Sequence, residues 1–150
     1  MKKLIDLYPY RLVDGKPQFL LLKRAKGKVY EGQWRMIGGK VNPNETYWQA
    51  ALRELKEETG LDPVRFWTIP SLNHFYEAAS DTIHSIPAFA AQVDETSEPV
   101  LDDEHTEITW TDAGEIGKYI IWPEQRRLVQ LSNSIILSDQ IINDWLIPLN

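Results

Sequence analysis

Three carboxylates lie close together between residues 54 and 58, where a helix would bring them onto one face. Glu54 lies four residues before Glu58, and Glu57 lies between them. Like charges at this spacing cost about 0.2–0.5 kcal/mol, and the last turn of a helix disfavours anions by about 0.3–1 kcal/mol each. Because Mg²⁺ and Mn²⁺ prefer carboxylate oxygens, the cluster predicts a site for a hard divalent cation that compensates this cost.

The helix that must position these acids has its own start and stop signals. Thr46 followed by Gln49 is a capping-box pattern. Gly60 is typical of a helix C-terminus, and the following Asp-Pro pair prevents continuation. These signals predict a helix over residues 47–59, with the carboxylates in its C-terminal half.

The remaining elements follow from hydrophobic periodicity and turn residues. Strands are predicted over residues 3–13, 18–24, 34–37, 64–77, 82–93 and 107–111. A turn is predicted at 14–17, a mobile loop at 25–33, an acidic loop at 94–104 and a short helix at 113–118. A C-terminal helix begins at Pro123 and continues through Leu131 or beyond. One or two helical turns follow at 139–147, with Ile141, Ile142 and Trp145 on one face. This order predicts an α/β fold with helices on both faces of a mixed sheet.

Length and composition limit the classes of function. The 150 residues predict a single domain over 1–150. The net charge of -6 argues against a general nucleic-acid-binding surface, which requires a basic face. The absence of cysteine excludes a disulfide framework, a thiolate zinc site and a cysteine nucleophile. No segment reaches the ~20 apolar residues of a membrane span, and Asp6, Arg11 and Asp14 interrupt any signal-peptide core. We therefore expect a cytoplasmic protein.

The stretch from Gly39 to Leu61 resembles the signature box of the Nudix hydrolase family. The fixed positions of that box are matched by Gly39, Glu45, Arg53, Glu54, Leu55, Glu57, Glu58, Gly60 and Leu61. The resemblance implies an α/β/α sandwich with a mixed β-sheet and a loop–helix–loop metal site. It also implies hydrolysis of a nucleoside diphosphate linked to another group X, with Mg²⁺ or Mn²⁺ as the cofactor.

The resemblance also implies roles for the residues of the box. Glu57 and Glu58 would be metal ligands, Glu54 a ligand or the water-activating base, and the Gly39 carbonyl a further ligand. Three residues would be structural: Glu45, Arg53 and Gly60, of which the first two pair. Bound metal would neutralise charge on the pyrophosphate and lower the pKa of the attacking water.

A second acid is expected outside the box. Glu104-His105 followed by Trp110 resembles a pattern found late in many family members, which implies that Glu104 is an extra metal ligand or base. Three other acids compete for this role: Asp102, Asp103 and Glu107. His105 is predicted to be a hydrogen-bonding structural residue, because hard cations prefer oxygen.

Phosphate contacts require cations, and a base or pterin ring requires an aromatic platform. Arg24 and Arg35 are the best-placed cations. Weaker candidates are Lys23, Lys26, Lys28 and Lys40. The candidate platforms are Trp34, Phe75 and Tyr76, and each of these also suits the core.

Within the family, the chain looks most like the subgroup of dihydroneopterin triphosphate and dATP pyrophosphohydrolases. The expected partner is therefore a small nucleotide or pterin polyphosphate, with no stable nucleic-acid or membrane partner, and dimers among relatives point to a homodimer. Diadenosine polyphosphates, nucleotide sugars and ADP-ribose remain possible substrates. A non-catalytic nucleotide-binding domain and a merely solvated acidic helix would also place several acids on one helix. The intact acids argue against the first, and the matched glycines and spacing argue against the second.

Overall fold

The structure, a computed structural model, describes residues 2–149. Its strands are β1 Leu4–Val13, β2 Lys16–Arg24, β3 Trp34–Arg35, β4 Ile37–Lys40, β5 Arg65–Glu77, β6 Thr82–Gln92 and β7 His105–Asp112. Its α-helices are α1 Tyr47–Thr59 and α2 Pro123–Leu137, and 3₁₀ helices cover Ala113–Lys118 and Asn143–Trp145. No helix within residues 2–149 is long and apolar enough to cross a membrane.

The seven strands form one mixed sheet. Its main order is β3-β2-β1-β6-β5, with β4 paired to β1 and β7 paired to β2. The β1–β6 pair is parallel, and the other pairs are antiparallel. The predicted α/β class with a mixed sheet is therefore confirmed.

The two α-helices cover opposite faces of this sheet. Side chains alternate between these faces along β1, so successive residues of β1 contact different helices. Ile5 and Leu7 belong to one apolar cluster, which also contains Leu55 of α1. Tyr8 belongs to the other cluster, together with Leu128 of α2. The sheet therefore separates an α1 face from an α2 face, as the predicted sandwich requires.

The predicted turn at 14–17 is too long. Asp14 and Gly15 have φ values of 53° and 77°, and Val13 pairs directly with Lys16. A two-residue loop with two positive φ angles is the tight turn that matches the twist of a hairpin. β2 therefore begins at Lys16 rather than at residue 18.

The prediction of one strand over 34–37 that ends before the two glycines is wrong. Trp34 and Arg35 pair with β2, and the chain then changes partner at the buried Met36. The segment Ile37–Lys40, which includes both glycines, pairs with β1. Strand pairing therefore holds the start of the signature box in an extended conformation.

The C-terminal segment contains less helix than predicted. Only Asn143–Trp145 forms a 3₁₀ turn. Ile141 and Trp145 pack against the cluster on the α2 face, whereas Ile142 is 47% exposed. The three apolar residues therefore do not share one face, because a 3₁₀ turn of three residues is too short to create a helical stripe. The prediction for α2 is confirmed, including its start at Pro123.

Candidate active site

Helix α1 covers residues 47–59, as the sequence predicts. The Thr46 side chain accepts a hydrogen bond from the Gln49 backbone at 3.2 Å, and the Gln49 side chain accepts one from the Thr46 backbone at 2.8 Å. Gly60 follows the helix with a φ of 71° and donates its backbone N–H to Lys56. The predicted capping box and terminal glycine are confirmed, and they fix the axis along which the acids lie.

Glu58 is a buried carboxyl with an unpaired oxygen. It is only 5% exposed, and its Oε2 has no hydrogen-bond partner. Burial raises its pKa to about 9, and the nearby Glu54, Asp102 and Glu104 charges add to this shift. Burying an unpaired carboxylate is costly, so this position is suited to a cation that restores the charged form.

Glu54 lies against the backbone of Gly39. A Cβ atom on Gly39 would lie 2.5 Å from the Glu54 Cδ atom, which is well inside van der Waals contact. Burial raises the pKa of Glu54, although the neighbouring Arg53 opposes the shift. The glycine at this position therefore brings the strand backbone next to a carboxyl of α1.

Arg53 connects the loop to the helix. Its guanidinium donates to Glu45 at 2.8 and 3.0 Å, to Glu54 at 2.8 Å and to Glu57 at 3.2 Å. It also donates to the Lys40 backbone carbonyl at 2.8 Å. The bonds to Glu45 are the largest cause of a raised Arg53 pKa. Glu57 has a 57% exposed side chain, so it extends toward solvent, whereas the side chains of Glu45 and Glu54 are 15% and 16% exposed.

The loop before β7 brings two more candidate residues to Glu58. His105 is buried, and its Nδ1 lies 2.8 Å from Asp102 Oδ1 while its Nε2 lies 3.7 Å from Glu58 Oε1. One ligand atom from each of these residues lies within 4.8 Å of the others. Glu104 lies 3.8 Å from Arg24 Nη1. The structure therefore places Asp102 and His105 directly at Glu58, and Glu104 beside the predicted phosphate-binding arginine.

The other acids and cations occupy different surroundings. Asp103 is exposed, and Glu107 forms an ion pair with Lys23 at 3.1 Å. Lys26 and Lys28 lie on the exposed loop after β2. The Lys40 side chain lines a surface cleft of about 380 Å³ together with Lys2 and Lys3.

Arg24 and Arg35 differ in their partners. Arg24 donates to the Val29 carbonyl at 3.1 Å, and its Nη1 lies 3.5 Å from His105 Nε2. Arg35 stacks over the Tyr30 ring at 4.1 Å and lies 5.5 Å from the Trp122 ring. Burial lowers the Arg35 pKa. Arg24 therefore lies next to the acids, whereas Arg35 is enclosed by aromatic rings.

The three candidate platforms do not converge. Trp34 packs edge-on against Tyr119 at 5.6 Å, within the cluster on the α2 face. Phe75 stacks on His84 at 4.7 Å, and the Tyr76 hydroxyl donates to Asp81 at 2.8 Å. Phe75 and Tyr76 are exposed on the β5–β6 hairpin, so they lie outside the core.

Sequence reasoning missed a second group of buried polar residues. Asp6 is buried on the α2 face and accepts hydrogen bonds from Asn73 at 2.7 Å and Tyr8 at 3.2 Å. The one available signal was an acidic residue among the buried residues in the first half of β1, since buried charges are rare without partners.

The fold agrees with the comparisons with known proteins. The NUDIX domain profile matches residues 10–131, and the chain belongs to this family. A bis(5'-nucleosyl)-tetraphosphatase [asymmetrical] of Caenorhabditis elegans is 30% identical over 131 residues, which is 85% of this chain and 91% of the relative. The CTP pyrophosphohydrolase of Escherichia coli is 31% identical over 117 residues, covering 78% and 82% of the two chains.

Solved structures show the same fold. The crystal structure of a C. elegans Ap4A hydrolase binary complex aligns with a TM-score of 0.76 and 24% identity, covering 92% of this chain and 99% of that one. A NUDIX hydrolase structure from Listeria monocytogenes aligns with a TM-score of 0.73 and 18% identity, covering 98% and 99%. The predictions of a Nudix hydrolase and of a pyrophosphohydrolase acting on acid anhydrides of phosphorus are confirmed by this family membership.

Proposed function

We propose that the chain hydrolyses a diphosphate linkage in a nucleoside triphosphate-like substrate, either an NTP or dNTP or dihydroneopterin triphosphate, by attack of water at phosphorus with Mg²⁺ or Mn²⁺ bound. The observation that carries the proposal is the buried, unpaired Glu58 carboxyl beside Glu54, Asp102 and Glu104. Such a concentration of acids in a partly buried site is typical of catalytic metal centres.

The donor set fits a hard divalent cation. Glu58 offers an oxygen without a hydrogen-bond partner, and carboxylates are the usual ligands of Mg²⁺ and Mn²⁺. We assign the metal to Glu57, Glu58, Glu54 and the Gly39 carbonyl, with Glu104 or Asp102 completing the set. When bound, the metal would neutralise the pyrophosphate charge and acidify the attacking water.

Three other features of the proposed hydrolysis are assigned to side chains of this protein. Arg53 holds Glu54 and Glu57 in place through its bonds to Glu45 and the Lys40 carbonyl. Glu54, whose pKa is raised by burial, would either ligate the metal or accept a proton from the attacking water. Arg24 contributes a positive charge for the phosphates beside Glu104. These roles consist of positioning and electrostatic stabilisation, and they require no covalent intermediate. Substitution at phosphorus can proceed in this way.

A nucleotide panel with Mg²⁺ tests the proposal through release of pyrophosphate or orthophosphate. We expect turnover to fall about 100-fold or more in Glu57→Gln and Glu58→Gln, with the fold retained by circular dichroism. Glu95→Gln is the matched control, because Glu95 is an exposed acid of the loop after β6, and it should keep the full rate. Unchanged turnover in both Glu57→Gln and Glu58→Gln would refute the metal assignment.

The same assay distinguishes the two acids outside the box. Glu104→Gln and Asp102→Asn are compared across pH, because Asp102 contacts His105 while Glu104 faces Arg24. The acid that binds metal or acts as the base should lower turnover when it is neutralised. A wild-type rate for Glu104→Gln at all pH values would remove Glu104 from the site.

A second candidate is hydrolysis of a bis(5'-nucleosyl) polyphosphate. The C. elegans relative with that name covers 85% of this chain at 30% identity, which supports the candidate. The panel therefore includes a diadenosine polyphosphate, a nucleotide sugar and ADP-ribose. Nucleotide binding without any product release would favour a non-catalytic nucleotide-binding domain instead.

A further inference from the structure

The α2 face of the sheet holds a buried polar cluster away from the α1 acids. Asp6 is 6% exposed, and its Oδ2 accepts hydrogen bonds from Asn73 and Tyr8. The Gln125 side chain of α2 lies close enough to this carboxyl to lower its pKa against the effect of burial. Every donor named here points at Asp6, so the carboxyl acts as an acceptor.

Two side-chain atoms at this cluster have no partner. Gln125 is only 4% exposed, yet its Oε1 accepts no hydrogen bond. Nη1 of Arg35 is buried and donates to no partner, and the Arg35 charge acts on Asp6 by lowering its pKa against the effect of burial. An unsatisfied buried polar group costs about 1–3 kcal/mol, so one unpaired acceptor and one unpaired donor together favour a ligand that satisfies both.

The cluster and the proposed hydrolytic site lie on opposite faces of the sheet and are separated by strand β4. Asp6 pairs with Gly38 across the β1–β4 ladder, and a Cβ on Gly38 would lie 3.9 Å from Asp6 Oδ1. The next residue, Gly39, touches Glu54. Asp6 and Glu54 lie on opposite faces of the sheet here, and β4 pairs with β1 alone among the described strands. A nucleotide that passes the free edge of β4 would therefore bring its base to Asp6 while its phosphates lie at the acids.

Aromatic rings border the cluster at the surface. Tyr30 and Trp122 are both partly exposed and meet edge-to-face at 5.7 Å. The planar guanidinium of Arg35 lies over the Tyr30 ring at 4.1 Å. Aromatic faces and a planar cation are suitable stacking partners for a flat heterocycle.

We propose that Asp6 and Gln125 select a heterocycle with a 2-amino-4-oxo edge, the edge shared by guanine and pterins. The inference rests on the proposed function, because it names the base of the same substrate. Asp6 and the Gln125 oxygen are two acceptors that match the ring N–H and the amino group. Arg35 Nη1 is the donor that matches the ring carbonyl. Adenine and cytosine each present a single amino donor on this edge, so they leave one buried acceptor unpaired.

The test compares kcat/KM for GTP, ITP, ATP, CTP and dihydroneopterin triphosphate with Mg²⁺. ITP lacks only the 2-amino group of GTP. We expect kcat/KM for GTP or dihydroneopterin triphosphate to exceed that for ITP at least 10-fold, and to exceed the values for ATP and CTP by more. The substrate with the higher kcat/KM shows whether the recognised ring is guanine or a pterin. In Asp6→Asn the GTP/ITP ratio should fall close to one.

Two further variants keep the test decisive. Tyr10→Phe is the matched control, because Tyr10 is a buried tyrosine on the same face of β1 that bonds to Trp67 instead, and it should keep the GTP/ITP ratio. If Asp6→Asn does not fold, Gln125→Met removes the second acceptor from α2 and should lower the same ratio.

The outcomes separate this inference from the proposed function. Equal kcat/KM for all bases in the wild type would overturn base selection while leaving hydrolysis intact. GTP-selective binding by calorimetry without hydrolysis of any substrate would overturn the proposed function and support base selection.

Discussion

At the residue scale, Gly39 and Arg53 explain how an acid cluster is held in place. Gly39 leaves room for Glu54, since a Cβ there would overlap the carboxyl group. Arg53 then links Glu54 to Glu45 and to the Lys40 carbonyl. Part of the repulsion among the acids is therefore offset by one guanidinium, which can make several bonds in fixed directions.

The raised pKa of Glu58 makes stability depend on pH. Its ordinary value is 4.5, and burial raises it to about 9. The folded state therefore binds more protons than the unfolded state between these values. The stabilisation from the proton bound to Glu58 is complete below pH 4.5. It decreases steadily as the pH rises from 4.5 and is fully lost above about pH 9. The loss is on the order of 3 kcal/mol at pH 7.

We expect Glu58→Gln to flatten this dependence in metal-free protein. At pH 8 the variant should melt several degrees above the wild type, because it buries a neutral amide instead of an unpaired carboxylate. Thermal unfolding in a chelator between pH 5 and 9 measures the effect. Glu98→Gln changes an exposed acid and is the control, and identical pH profiles for Glu58→Gln and the wild type would contradict the buried-carboxyl account.

Residue-level prediction from the sequence worked where the spacing was local. Glu54, Glu57 and Glu58 share one helix, so a helical period was enough to group them. The Asp6–Asn73 bond joins residues 67 positions apart, and no local pattern predicts which strands bring them together. The contact of His105 with Glu58 was missed for the same reason.

At the scale of elements, α1 gains much of its definition from its N-terminal cap. The Thr46 side chain accepts from the Gln49 backbone at 3.2 Å. We expect Thr46→Ala to lower the free energy of unfolding by about 1 kcal/mol, since it leaves a backbone donor unpaired. Urea denaturation measures the change. Thr46→Ser keeps the capping oxygen and should retain most of the stability, so equal losses in both variants would contradict this assignment.

The strands β3 and β4 show what element-level reasoning could not predict. The sequence predicts extended structure near Trp34, which is correct, but two glycines usually end a strand. Here Gly38 and Gly39 remain in the ladder because β1 supplies backbone partners for them. The change of partner at Met36 depends on tertiary pairing, which outweighs local propensity.

At the scale of the whole molecule, one sheet carries polar residues on both faces. The acids of α1 lie beside one apolar cluster, and Asp6 lies on the face covered by α2. The fold class followed from the order of elements and the signature box. The parallel β1–β6 pairing, which places Asp6 opposite Ala88, required the structure because distant strands pair through contacts that no sequence window contains.

This separation predicts that substitutions on the two faces act independently on stability. Glu58 and Asp6 share no hydrogen-bond partner among residues 2–149, so the effects of Glu58→Gln and Asp6→Asn on the free energy of unfolding should add within about 0.5 kcal/mol. Urea denaturation of both single variants and the double variant measures the coupling. Glu45→Gln with Arg53→Met is the positive control, because these residues bond directly at 2.8 Å and should couple by about 0.5–3 kcal/mol. A coupling of similar size between Glu58 and Asp6 would mean that the sheet transmits changes between its two faces, and base selection and hydrolysis would then depend on each other through the protein itself.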